Sequence, residues 1–120
     1  MSMAKTYALV FGIAYVAVAL LEILFKQVGG LLWFTPVHNG IHWLTGVLGL
    51  VAYGMGDKSS KMYAQVFGVV FSIVALLGFF APSFLAQVLG YPVNLFYNLV
   101  HTATGALGLY IGFAGMKRGA

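Results

Sequence analysis

Cysteine is absent from these 120 residues, and acidic side chains are nearly so, with Glu22 and Asp57 the only two. Without cysteine there is no disulfide, no thiolate nucleophile and no cysteine-ligated metal, and the redox compartment leaves no trace in the sequence. Charged residues make up only 7% of the chain, whereas a water-soluble domain normally carries about a quarter. A chain so poor in charge has little to cover a soluble surface with. Proline occurs three times, at Pro36, Pro82 and Pro92, each at the edge of an apolar run. There is no Asn-x-Ser/Thr acceptor, no H-E-x-x-H, no G-x-S-x-G and no nucleophile paired with a base. Gly54-Met55-Gly56-Asp57-Lys58-Ser59 has the composition of a phosphate loop without its spacing or preceding strand, and reads as a short turn. No catalysed reaction is expected.

What is present is apolar: hydrophobic residues are 62% of the chain. The six basic residues, Lys5, Lys26, Lys58, Lys61, Lys117 and Arg118, leave a net charge of +4. A nucleic-acid surface would gather such residues on one face among polar and aromatic neighbours. Here five stand between or outside the apolar runs and Lys26 closes one, so they read as loop charges that set membrane topology, and nucleic acid is not expected as a partner.

The sequence repeats itself. Tyr7-Ala8-Leu9-Val10-Phe11-Gly12 matches Tyr63-Ala64-Gln65-Val66-Phe67-Gly68 at an offset of 56, and nine of the fifteen positions from Tyr7 to Leu21 are identical to their counterparts. Pro36-Val37 keeps the offset with Pro92-Val93. It then becomes 59, where Asn39-x-x-His42-x-x-Thr45-Gly46-x-Leu48-Gly49-Leu50 meets Asn98-x-x-His101-x-x-Thr104-Gly105-x-Leu107-Gly108-Leu109. Self-similarity of this kind owes nothing to propensity scales. It also bears on the first apolar run, which has the look of a signal peptide: the run is longer than the usual hydrophobic core, no small-x-small cleavage site follows, and it has an internal copy, so a retained span is expected.

The expected fold is all-α, a single transmembrane domain over 1–120 with spans at about 7–25, 36–53, 62–81 and 92–116, each near the roughly 20 residues that about 30 Å of hydrocarbon requires. Thr35-Pro36 reads as an N-cap followed by proline at the first helical position, Ser59 or Ser60 as the cap of the third helix, and Pro82 as that helix's stop. Repeat units of about 7–56 and 63–115 contain two spans each. The copies therefore share orientation about an axis along the membrane normal, giving a four-helix bundle of two tandem hairpins with a parallel pseudo-twofold. Lys5, Lys58, Lys61, Lys117 and Arg118 then share one side, which places both termini in the cytoplasm of a cell membrane, the bacterial inner membrane being the expected one. The outer connections, with Trp33, Phe34, Phe84, Leu85 and Leu89, are apolar for loops and are expected to lie on or dip into the outer leaflet.

The repeated motif has intervals of 3 and 4, which on a helix align Asn39, His42, Gly46 and Gly49 in one stripe, and Asn98, His101, Gly105, Gly108, Gly112 and Gly115 in another. Small residues in such a stripe let backbones approach, so Gly46, Gly49, Gly105, Gly108 and Gly112 are expected to form a packing seam. Asn39, His42, Asn98 and His101 are expected to form a pseudo-symmetric polar cluster near the outer end, hydrogen-bonding across helices. Two other uses of these residues are open: axial ligation of a haem or chlorophyll by His42 and His101, or a polar path through an oligomeric small transporter. His38 has no counterpart in the second copy and is expected at the surface. Glu22 is expected to pair with Lys26, four residues on, near the outer water interface, and its counterpart is Gly78.

Pro36-Val37-His38-Asn39-x-x-His42-x-x-x-Gly46 and its echo Asn98-x-x-His101-x-x-x-Gly105 resemble the small four-helix bacterial membrane proteins of the domain-of-unknown-function family numbered 4383. The resemblance covers most of the chain. It implies four helices and membrane residence, and it carries no activity and no cofactor. Taken together, these features lead to the expectation of a non-enzymatic structural or accessory protein in the lipid bilayer, acting through helix packing as a homo-oligomer or as a subunit of a larger membrane complex.

Overall fold

The structure is a computed structural model, which describes residues 1–25, 27–28, 32–33, 35–90 and 93–114. Among these, four long helices carry the fold: α1 (Met3–Phe25), α2 (Pro36–Met55), α3 (Asp57–Phe80) and, after the short α4 (Pro82–Leu89), α5 (Leu95–Phe113). Two two-residue strands, β1 (Gln27–Val28) and β2 (Leu32–Trp33), form an antiparallel ladder between α1 and α2. Helices α1 and α3 are long and apolar enough to cross a membrane.

The boundaries follow from local chemistry and differ in places from the expectation. Thr35 caps α2, its hydroxyl accepting the His38 amide at 3.3 Å with Pro36 in the first turn. The expected six-residue turn at Gly54–Ser59 shrinks to Gly56, which alone stands between α2 and α3 at φ 114°, a conformation that favours glycine. Neither Ser59 nor Ser60 caps α3. Gly56 occupies that position, and the Ser60 hydroxyl turns back to donate to the Ala52 carbonyl at 3.1 Å. Proline ends α3 as expected, and Pro82 then opens α4, an added helix in what reads from the sequence as a loop. α5 begins at Leu95, where the Asn94 side chain accepts the Tyr97 amide at 2.9 Å. Pro92 and Met116, the expected limits of the last span, fall outside the described residues, as do Lys26, Phe34 and Gly115.

Two tight hairpins make the body: α1 lies along α2, and α3 along α5. Glycines permit both contacts. A Cβ on Gly46 would come within 2.7 Å of the Val16 amide nitrogen, and one on Gly105 within 2.5 Å of the Ser72 amide nitrogen. The hairpins meet through α1 against α3, α2 against α3, and α5 against α1. Two crossed hydrogen bonds tie them: the Tyr7 hydroxyl donates to the Thr104 carbonyl and the Tyr63 hydroxyl to the Thr45 carbonyl, each at 2.8 Å. These are counterparts under the sequence offsets, each tyrosine reaching from its own copy into the other. At one end of the bundle the Ser2 hydroxyl donates to Asp57 and the Lys5 ammonium lies 5.1 Å from the Tyr53 ring centre, which gathers the start of α1 beside the α2–α3 joint.

The polarity of the molecule is inverted relative to a soluble domain. The fully buried large side chains are polar, among them Glu22, His38, Thr45, Thr104 and Ser60, while Phe80, Leu24, Leu95, Leu44 and Leu76 are between 58% and 84% exposed. The stability of such a bundle rests on backbone approach at the glycines. Gly105→Leu should therefore lower stability in mild detergent by about 1–3 kcal/mol, the usual cost of overpacking. Leu44→Ala, on the open face, should change it by less than about 0.5 kcal/mol. Thermal unfolding compares the two, and a Gly105→Leu chain as stable as the parent refutes the close crossing.

Candidate functional site

Each long helix turns a stripe of small and polar residues inward at intervals of 3 and 4. On α1 it runs Ala8, Gly12, Tyr15, Ala19 and Glu22; on α3 its counterparts are Ala64, Gly68, Phe71, Ala75 and Gly78, and all ten are buried. On α2 the stripe includes His38, Asn39, His42, Thr45, Gly46 and Gly49, and on α5 Asn98, His101, Thr104, Gly105, Gly108 and Gly112. His42 stands six residues into α2 and His101 six into α5, which puts both about 9 Å along their helices.

The center of the site is a carboxylate. Glu22 is 0% exposed. Its Oε1 accepts from Asn39 Nδ2 at 3.0 Å and from His42 Nδ1 at 3.2 Å, and its Oε2 lies 3.1 Å from that same His42 nitrogen and 3.8 Å from His38 Nδ1. Asn39 Nδ2 is shared with the Ala19 carbonyl at 3.0 Å, which locks the amide between α1 and the carboxylate. The two histidines of α2 lie against each other, tilted, with ring centres 3.9 Å apart, and His101 reaches in from α5 with its ring 6.4 Å from that of His38. One ring nitrogen from each of His38, His42 and His101 lies within 4.8 Å of the others. Aromatic rings wall the cluster: Phe71 stacks on His101 at 5.5 Å, and Tyr15 packs against His42 at 5.4 Å. The Tyr15 hydroxyl is held by Thr104 Oγ1 at 2.8 Å. A cavity of about 100 Å³ opens beside His42 and His101, bounded by Tyr15, Val18, Phe96 and Tyr97.

The structure thus brings His42 and His101 together, and it adds two residues for which the sequence suggested other roles. His38, expected at the surface, is 2% exposed and belongs to the cluster. Glu22, expected to reach water beside Lys26, is sealed inside and paired with α2, while Lys26 lies outside the described residues. A signal for both was available. Glu22 continues the rhythm of Ala8, Gly12, Tyr15 and Ala19, and His38 stands one helical turn before His42. Asn98 takes a different path: its Nδ2 donates to the Gly78 carbonyl at 3.1 Å, and a Cβ on Gly78 would overlap its Oδ1. Where the first copy places the Glu22 side chain, the second has a glycine whose space the Asn98 amide fills.

A tetrapyrrole does not fit this arrangement. Pockets for ligands of drug size run to about 300–1,000 Å³, and the roughly 100 Å³ beside His42 and His101 falls well short of that.

A buried carboxylate that loses its partner leaves an uncompensated charge, at a cost of about 3–5 kcal/mol. His42→Leu should destabilise the chain by that order. Glu22→Gln in the His42→Leu background should recover much of the loss, because the amide carries no charge to strand. Chemical or thermal unfolding of the two single variants and the double variant measures the coupling, and strictly additive effects refute the pairing.

No curated protein and no solved structure matches the chain. Residues 5–114 match the model of the family described as Domain of unknown function (DUF4383), and the chain belongs to that family.

Proposed function

We propose that this chain is a non-enzymatic multi-pass membrane protein that crosses a cell membrane four times as two tandem hairpins, with both termini cytoplasmic. In this reading its bundle holds a small cationic guest at the Glu22, His38, His42 and His101 centre. The observation that carries the reading is the inverted polarity. Side chains that lipid could not satisfy point inward onto partners, and the outer faces are Leu, Ile, Val and Phe. α2 and α5, at 20 and 19 residues, have the length to span about 30 Å of hydrocarbon. Their hydropathy is lowered by the inward-facing glycines, histidines and asparagines. Lys5, Lys58 and Lys61 fall at the end of the bundle where α1 begins and α2 joins α3, and a cytoplasmic placement of that end agrees with the positive-inside rule.

The glycines of the seam favour a bundle complete in itself, because Gly46, Gly49, Gly105, Gly108 and Gly112 are all buried within it. A second reading, association with further copies or with a larger membrane complex, is favoured by two apolar outer grooves. One of about 340 Å³ lies along Leu48, Val51, Met55 and Met62, and another of about 330 Å³ along Leu76, Phe79, Ala106 and Leu109.

Reporter fusions test the topology. A reporter after Ala120 should be active only in the cytoplasm, and one inserted between Ser83 and Gly90 only on the far side. An externally active C-terminal fusion overturns the four-span arrangement.

A further inference from the structure

We infer that the three buried imidazoles form a binding site for one divalent first-row transition-metal ion, with Glu22 as the carboxylate that orients His42. This assignment deepens the cationic-guest reading and rests on it. Imidazole is the preferred ligand of zinc and its neighbours in that row, and an ion bound by three histidines with an open fourth position is an established kind of site.

Four observations converge on it. First, His38, His42 and His101 bring one ring nitrogen each to within 4.8 Å of one another from two different helices. Metal–nitrogen bonds of about 2.0–2.1 Å ask for ring shifts of roughly an ångström from that starting point. Second, His101 Nδ1 is buried and has no hydrogen-bond partner among the described residues. A lone ring nitrogen in an apolar interior is costly, and an ion bound to the ring or a water carried with it supplies the missing interaction. Third, Glu22 Oε1 and Oε2 face His42 Nδ1 at 3.2 and 3.1 Å. A carboxylate only accepts, so Nδ1 carries the proton and Nε2 keeps the lone pair for a metal. This is the carboxylate–histidine–metal relay that fixes a ligand's tautomer and orientation, and Asn39 holds the carboxylate in turn. Fourth, a cavity of about 100 Å³ opens beside two of the three histidines, His42 and His101, and gives their rings space to shift.

Charge points the same way. Glu22 is fully buried, and its ion-pair partners among the described residues are His38 and His42. Buried charges are paired or coordinate metals, and a divalent ion on the histidines balances the carboxylate through His42.

The test uses the full chain purified in mild detergent with a histidine-free tag, stripped with a chelator and titrated with Co²⁺ and then Zn²⁺. The expected result is one ion per chain, with visible cobalt bands typical of four or five nitrogen and oxygen ligands, displaced by Zn²⁺. With no cysteine in the chain, no thiolate contributes to those bands. Glu22→Gln should weaken Zn²⁺ binding 10- to 100-fold, the usual effect of losing such an orienting group, and His101→Ala should abolish stoichiometric binding. If the variants do not fold, the parent's spectrum and stoichiometry decide. A parent that takes up no stoichiometric ion, or a His101→Ala chain that binds as tightly as the parent, overturns the assignment. An infrared carboxyl band, present in the parent, absent in Glu22→Gln and responsive to pH without metal, separates the two failures. If it is seen while no metal binds, the guest is a proton and the metal assignment alone falls. If neither is seen, the cationic-guest reading falls as well.

Discussion

A single buried carboxyl group organizes the interior of this protein. Glu22 sits with no exposed surface near the end of α1. A carboxylate in such a place is tolerated only when hydrogen bonds and an opposite charge or strong donors surround it. Asn39 and His42 supply the donors from α2, and the His38 ring lies against that of His42. His101 then completes the group from α5, a helix that otherwise belongs to the other hairpin. The polar centre is therefore also a contact between the two halves.

The two similar stretches of sequence agree in the frame and differ at the site. Counterpart residues make counterpart contacts where backbones must meet: Tyr7 with Thr104 and Tyr63 with Thr45, Gly46 against Val16 and Gly105 against Ser72. At the polar centre the copies part. Glu22 stands opposite Gly78 in the offset, and Tyr15 opposite Phe71, whose ring lacks a hydroxyl and stacks between Tyr15 and His101. One copy contributes the charge and two histidines, the other a histidine, an aromatic wall and a threonine hydroxyl for Tyr15. A bundle of identical halves would place two carboxylates in its interior. The glycine at position 78 removes one of them and leaves Asn98 in its space.

The sequence by itself determined the four long helical stretches, though not the short α4, and the stripe of Asn39, His42, Gly46 and Gly49 with its echo on α5. Hydrophobic run length, proline and glycine act locally, and a spacing of 3 and 4 fixes a helical face whatever the neighbours are. Thr35 with Pro36 was legible for the same reason, and the missed cap at Gly56 shows the limit, since an adjoining helix end can take the place of a serine hydroxyl. Tertiary structure alone decided which faces meet. Glu22 reads from the sequence as a residue near the outer end of its helix that reaches water, yet the carboxylate points along the stripe of Ala8, Gly12, Tyr15 and Ala19 and is covered by α2. His38 has no echo because its counterpart at the offset of 59 is Tyr97, and its partners on α1 and α5 lie at separations that a one-dimensional pattern does not encode. Burial and charge pairing depend on the packing of distant segments, and that packing, absent from the order of residues along any one helix, gathered three histidines and a carboxylate into one place.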